Sequence, residues 1–469
     1  MRAWAAKLSI GCWLAQSLVG IAWADAAARA LSLAQNGKCE EALPELRSTV
    51  ARSPGSVKFQ NAIGVCEAQL GHASQAAASF EVVAKLQPAA WQAWNNLGAS
   101  YLTLNRVADA ESAFDRAVKL NPKATSAWFN LGSSLWKQGK QVEGFKAVDR
   151  ARQLSPQDAQ LTRAWADTAS QIASEAAHQI DEGRYGGAAK LLYIVQQPLE
   201  KTASWNDLAG YAEFKLGHSE EAREHLQKAI ELDPNNEDYL LDIGEFLASR
   251  KAYDQAARFF EVGIKRMPDA PRVRFGLAVT EILQDRRAEA TSQLEELLRH
   301  YPRFEPVYNA LGECYEDAGN WPVMDDLGRK LASIDPSNAV GWYLQGASTE
   351  QLAIAHDKDI TPAITFLKKA ADLDPRSSRY HFRLGKAYEE THQTQAALHE
   401  LKEAIRIEPG HERAHYVLAR LYRSLGENDL ARREFQAHAR IKANGRQEAY
   451  AAMLAGVRRT QNPPHEQGN

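Results

Sequence analysis

Prolines punctuate this sequence at a fixed interval. Pro54, Pro88, Pro122 and Pro156 stand 34 residues apart, and after one irregular gap Pro234, Pro268, Pro302 and Pro336 repeat that spacing. Pro375 follows after 39 residues and Pro409 after another 34. A period of this length means one supersecondary unit copied in tandem, each copy burying its apolar face against its neighbours. The chain must fold as a stack.

Aligned on the prolines, the copies share a pattern. "WNNLGASYLTLNRVADAESAFDRAVKLNP" (94–122), "WFNLGSSLWKQGKQVEGFKAVDRARQLSP" (128–156) and "HFRLGKAYEETHQTQAALHELKEAIRIEP" (381–409) each read as two amphipathic helices joined by a short turn. The proline stops the second helix. A glycine early in the first helix (Gly64, Gly98, Gly132, Gly210, Gly244, Gly312, Gly346 or Gly385) is expected to face a small residue of the second helix. That residue is Ala76, Ala110, Ala222, Ala256, Ala397 or Ala431 in most copies. Two helices cross closely only where both side chains are small. Trp94, Trp128, Tyr308 and Trp342 at the fourth position of the first helix, with Phe80, Phe114 and Phe260 on the second, are expected to fill the space beside the crossing.

The run Trp94, Leu97, Gly98, Tyr101, Ala110, Phe114, Pro122 resembles the tetratricopeptide repeat family. The resemblance covers residues 26 to about 445 in about twelve copies. It implies an all-α fold: a right-handed superhelical solenoid of helix-turn-helix repeats, with the first helices lining a concave groove that binds protein or peptide. The expected organisation is an N-terminal array at 25–158, an irregular long copy at 159–202 and a C-terminal array at 203–445. A capping helix at 446–460 and a disordered tail at 461–469 are expected to follow. Residues 339–377 carry five extra positions.

The first residues read differently. "MRAWAAK" is basic, "LSIGCWLAQSLVGIAWA" is apolar, and Ala22-Trp23-Ala24 is a small-x-small triplet. Together these read as a signal peptide over 1–24, cut after Ala24, or retained as an anchor. The expectation is an exported protein, periplasmic or secreted, with no membrane insertion once the signal is removed, since no other segment approaches the roughly 20 apolar residues of a span. A net charge of −3 gives no global attraction to nucleic acid. Export permits disulfides. Cys66 and Cys314 fall at position 10 of their first helices, a small packing slot, although Cys39 could instead reach Cys66.

With Trp94 and Trp128 counted as position 4, positions 2, 5, 6, 9, 12 and 13 of each first helix should face the groove. Early copies place Asn61, Asn95, Asn96, Phe129, Asn130 and Trp136 there. Asn96 and Asn130 resemble the asparagines of O-GlcNAc-transferase-type superhelices, where amides grip peptide backbone; the alternative is a plain solvated residue. Copies nine and ten place Glu313, Glu316, Asp317 and Glu350 there. The last two copies place Arg379, Phe382, Arg383, Lys386, Arg413, Tyr416, Arg420 and Arg423. Arginine forks onto carboxylates and aromatics add stacking surface, so these residues read as a pocket for an acidic peptide segment. Alternatively the cations pair with Glu389, Glu390 and the acidic zone next door.

His411, Glu412 and His415 spell H-E-x-x-H, the helical signature of zinc peptidases. In the repeat register His411 ends a loop and His415 is a position-4 packing residue, so the match reads as repeat punctuation. No phosphate-binding loop and no nucleophile elbow occurs. The reading is a non-catalytic, cofactor-free scaffold for protein partners, with a zinc hydrolase or a structural spacer as alternatives.

Overall fold

A computed structural model describes residues 23–444, and every regular element among them is helical. The signal segment up to residue 22, the capping helix expected at 446–460 and the tail at 461–469 lie outside the described residues. The chain divides into two compact units, residues 1–208 and 209–469, the division falling within the helix Ala203–Leu216. Among the described residues no helix is long and apolar enough to cross a membrane.

Each sequence copy becomes a helical hairpin. In the third copy a 13-residue first helix, Trp91–Thr103, turns into a 14-residue second helix, Val107–Leu120. The same lengths recur in Val57–Gln69 with Ala73–Leu86 and in Ser378–Glu390 with Thr394–Ile407. The turn depends on one left-handed residue. Gly71 and Gly139 supply it at φ of 80° and 75°, while Lys251 and His392 hold the same conformation at 60° and 59° with a side chain attached. Two copies depart from these lengths. The helix Ala159–Asp181 runs 23 residues against a partner, Tyr185–Ile194, of only 10. The helix Ala339–Ala355 runs 17 residues before its partner begins at Thr361.

The close crossing of the two helices has a specific cause. A Cβ placed on Gly64 would come within 2.7 Å of the Phe80 ring, and one on Gly98 within 2.7 Å of Phe114. Leu226, Leu367 and Leu401 press on Gly210, Gly346 and Gly385 in the same way, at 2.8, 2.7 and 2.9 Å. The glycine is therefore needed chiefly for the large residue four places beyond the small one on the second helix, a refinement of the small-against-small expectation. Gly312 departs further, since its nearest contact is Leu344 of the following copy, at 2.5 Å. Phe114 and Phe260 are fully buried over these glycines. Burial of one such ring stabilises by roughly 1.5–3 kcal/mol.

A second recurrent bond joins successive copies. The position-4 side chain donates to the carbonyl of the proline six residues earlier: Trp94 Nε1 to Pro88 and Trp128 Nε1 to Pro122, both at 3.0 Å. Arg274 Nε to Pro268, Tyr308 Oη to Pro302 and Trp342 Nε1 to Pro336 follow at 3.0, 2.8 and 2.9 Å. A proline that ends one helix leaves its carbonyl without a helical partner, and the next copy supplies one.

Cys39, at the start of the helix Cys39–Arg52, is joined to Cys66 by a disulfide with Cα atoms 4.9 Å apart. Cys314 is a buried free thiol. A bridge closing a loop of this length stabilises by roughly 3 kcal/mol.

Two measurements test this packing. The chain has four cysteines; less the two in the bridge, denatured unreduced full-length protein should titrate two thiols, and four after reduction. Four before reduction would rule the bridge out. Gly98→Leu should lower stability by about 1–3 kcal/mol in a denaturant melt through overpacking against Phe114; an unchanged midpoint would show that the crossing yields.

Candidate functional site

In the N-terminal unit the first helices present a row of half-buried amides. Asn130 Nδ2 donates to Asn95 Oδ1 of the preceding copy at 3.0 Å. That bond leaves the Asn95 amino group and the Asn130 carbonyl oxygen for another partner. Asn96 sits one residue on, at the edge of a hollow of about 350 Å³ floored by Val65, Ala68 and Ala99 and rimmed by Gln69 and Thr103. Those residues hold positions 6, 9, 12 and 13 of two successive copies, so the hollow follows from the repeat register. Trp136 is half-buried, its ring edge lying 3.3 Å from where a Cβ on Gly144 would stand. An apolar floor bordered by amides suits an extended peptide that offers one apolar side chain and its backbone.

In the C-terminal unit most of the basic residues of the penultimate copy are already engaged. Arg383 is 8% exposed. Its Nε meets Glu350, one terminal nitrogen reaches Glu316 at 2.9 Å, and the other donates to the Ala347 carbonyl at 3.3 Å. Burial works against the Arg383 charge, but Tyr343, Glu350 and Glu316 more than offset it, so its pKa stands above the ordinary arginine value. Arg379 lies over the Tyr343 ring at 4.4 Å and faces Glu313 and Glu316 at 3.6 and 3.4 Å. Lys386 sits between Glu350 at 3.5 Å and Glu390 at 3.0 Å. Burial pushes the Glu313 and Glu350 carboxyls up against the pull of these cations. Phe382 packs on the His411 ring, centroids 4.7 Å apart.

The last copy differs. Arg413, Tyr416, Arg420 and Arg423 fall on one stripe of the helix Glu412–Ser424 and are all exposed. Arg413 and Arg423 form no ion pair among the described residues, and Arg423 lies 5.6 Å from the Phe435 ring. Arg420 meets Glu389 at 3.5 Å but keeps half its side chain in solvent. Tyr416 is 43% exposed, edge-on to Phe435 at 6.0 Å. An exposed pair such as Arg420 with Glu389 is worth less than about 1 kcal/mol, so an incoming carboxylate displaces it readily.

The H-E-x-x-H residues are used inside the repeat. His411 Nδ1 accepts the Ala414 amide at 3.2 Å as a helix cap, and burial lowers its pKa, which favours the neutral acceptor ring. His415 Nδ1 meets Glu434 at 2.5 Å while its Nε2 meets the Pro409 carbonyl at 3.1 Å. His381 repeats this arrangement one copy earlier, with Glu400 at 2.6 Å and Pro375 at 3.3 Å. His415 thus serves as a position-4 donor with neither nitrogen facing an open cleft. Among the described residues no cluster of three or more His, Cys, Asp or Glu side chains is placed to hold a metal.

Sequence reasoning missed the proline-carbonyl bond, although its signal was visible: Trp, Tyr, His and Arg at position 4 all carry a donor. It also missed buried Glu67, which holds His72 at 2.8 Å and also pairs with Arg47. Glu67 takes an aromatic's place in the pattern and gave no sign of burial.

Two family profiles, both described as tetratricopeptide repeat, match the chain. One covers residues 27–90, 68–122 and 97–159, the other 213–279 and 390–456. Superkiller complex protein 3 of Mus musculus is 25% identical over 174 residues, 37% of this chain and 11% of that protein. Anaphase-promoting complex subunit 3 of Schizosaccharomyces pombe is 21% identical over 212 residues, 44% of this chain and 31% of that protein. The chain thus spans under a third of the length of these relatives. A solved structure of Naa15/Naa10 bound to HypK-THB aligns over 93% of this chain and 70% of its own, with a TM-score of 0.43 and 16% identity.

The engaged cations generate a stability test. Arg383→Met leaves the Glu350 carboxylate buried with only Lys386 nearby and should cost about 3–5 kcal/mol in a denaturant melt. The double change with Glu350→Leu should recover most of that loss. Equal losses in the single and double variants would mean that packing, and not charge pairing, holds these residues.

Proposed function

The chain belongs to the tetratricopeptide repeat family, and from that premise we propose that it is an exported, non-catalytic scaffold that holds protein partners along its groove, in envelope assembly or secretion. The observation that carries the reading is the contrast between the last two copies. Arg379, Arg383 and Lys386 are neutralised internally, whereas Arg413, Arg420 and Arg423 stay exposed around Tyr416. A pure spacer has no use for uncompensated cations with an aromatic set among them. The same set matches an acidic peptide segment through forked hydrogen bonds and stacking. The amide row of the N-terminal unit supplies a second, sequence-tolerant hold on extended backbone.

Export is supported by the basic-then-apolar first residues and by the Cys39–Cys66 bridge, which suits an oxidising compartment. A non-catalytic role is supported by the H-E-x-x-H residues, whose ring nitrogens serve as cap and carbonyl partner.

Affinity capture from envelope extract tests the reading. The wild type is compared with the triple variant Arg413→Glu, Arg420→Glu, Arg423→Glu, checked by circular dichroism to be folded. A partner retained by the wild type and lost from the variant is the expected result. Identical capture by both proteins would remove the basic stripe from recognition.

A further inference from the structure

Among the regular copies that follow a proline, one has no donor at position 4 to offer its carbonyl. In the hairpin Glu237–Ser249 with Tyr253–Arg266, position 4 is Leu240, which has no donor, and the carbonyl of Pro234 receives no side-chain bond among the described residues. A hollow of about 380 Å³ opens at this point, lined by Pro234, Leu240, Phe259 and Val262. That size lies at the lower end for sites that enclose a ligand group, about 300 Å³ and upward.

The filled version of this seat appears three copies later. There Trp342 donates to Pro336 at 2.9 Å and stacks on Phe366 with centroids 6.1 Å apart and planes 20° apart. Phe366 stands nine residues before its closing proline, and Phe259 stands nine before Pro268. The seat beside Leu240 therefore keeps the stacking ring and the carbonyl acceptor but has no indole between them. Cations also border the filled seats: Lys369 lies 3.5 Å from the Trp342 ring centroid and Arg116 lies 4.4 Å from that of Trp94. At the open seat Arg258 and Arg266 flank Val262 one turn to either side, both exposed and neither ion-paired among the described residues. Glu231 is the acidic residue on the lining.

We propose that this hollow is a docking socket for a tryptophan side chain carried on an acidic segment of a partner protein. The incoming indole takes the place held elsewhere by the chain's own position-4 residue. Its N–H donates to the Pro234 carbonyl, its face lies on Phe259, and neighbouring carboxylates meet Arg258 and Arg266. The socket is built from the second helices, the proline loop and the start of the first helix Glu237–Ser249, away from the groove residues proposed above, and gives the scaffold a second point of attachment.

The probe is a fluorescently labelled, end-blocked pentapeptide with a central tryptophan between aspartates and glutamates, titrated into the full chain and read by anisotropy. The wild type should bind it, and a peptide with alanine in place of tryptophan should bind at least about tenfold more weakly. Phenylalanine, which keeps the ring but loses the donor, should fall about threefold to tenfold. Leu240 is itself buried against Gly263; Leu240→Trp refills the seat from within and should abolish binding in a variant that circular dichroism shows to be folded. Arg258→Glu with Arg266→Glu, both at the surface, should weaken binding about tenfold and keeps the test informative if Leu240→Trp fails to fold. The Arg413→Glu, Arg420→Glu, Arg423→Glu variant should bind the probe as the wild type does. No binding by the wild type up to about 1 mM, equal binding by folded Leu240→Trp, or loss in the groove variant alone would overturn the proposal.

Discussion

The geometry of most regular hairpins rests on one missing side chain. Where Gly64, Gly98 or Gly346 stands, the large residue of the second helix lies directly on the backbone of the first. The helices approach as closely as the ring or the leucine permits, and no closer. A residue with no Cβ opposite a large apolar one is thus a spacer of fixed thickness. Gly64, Gly98, Gly210, Gly346 and Gly385 repeat this contact in their own copies, while Ala278 and Ala419 stand at the same register in two others. Overpacking such a contact costs about 1–3 kcal/mol per site.

The second constraint links one copy to the next. A proline ends the second helix and leaves a carbonyl without a helical partner; the following first helix returns a donor from position 4 six residues later. Tryptophan, tyrosine, arginine and histidine all meet this need, which explains how chemically different residues share one position. It also explains why His415 belongs to the architecture. A histidine that must reach both Pro409 and Glu434 has its ring fixed by the repeat and is not presented to a ligand.

Recognition chemistry is distributed unevenly over this regular frame. In the C-terminal unit, Arg383 reaches Glu316 across 67 residues, past the intervening copy. The path exists because that copy places Ala347 at position 9, and Arg383 donates to its carbonyl on the way. The copy before the last places Arg383 and Lys386 on the matching face, already paired with earlier carboxylates, so Arg413 and Arg423 face solvent. The same sequence pattern gives a stabilising network in one copy and an open surface in the next.

The period of the prolines, the helix pairs, the glycine positions and the two longer copies were legible in the sequence. Each follows from local rules: what stops a helix, what a turn requires, which face is apolar. The left-handed turn residue was also present in the sequence, as Gly71, Gly139 and Gly426, although Lys251 and His392 conceal it in their copies. Which polar residue meets which partner was decided only by the tertiary structure. The Cys39–Cys66 bridge, the burial of Glu67 and the division of the arginines into engaged and free depend on distances between copies 20 to 67 residues apart. Local periodicity says which face a side chain is on; it carries no information about what the neighbouring copies have placed within hydrogen-bonding reach of that face.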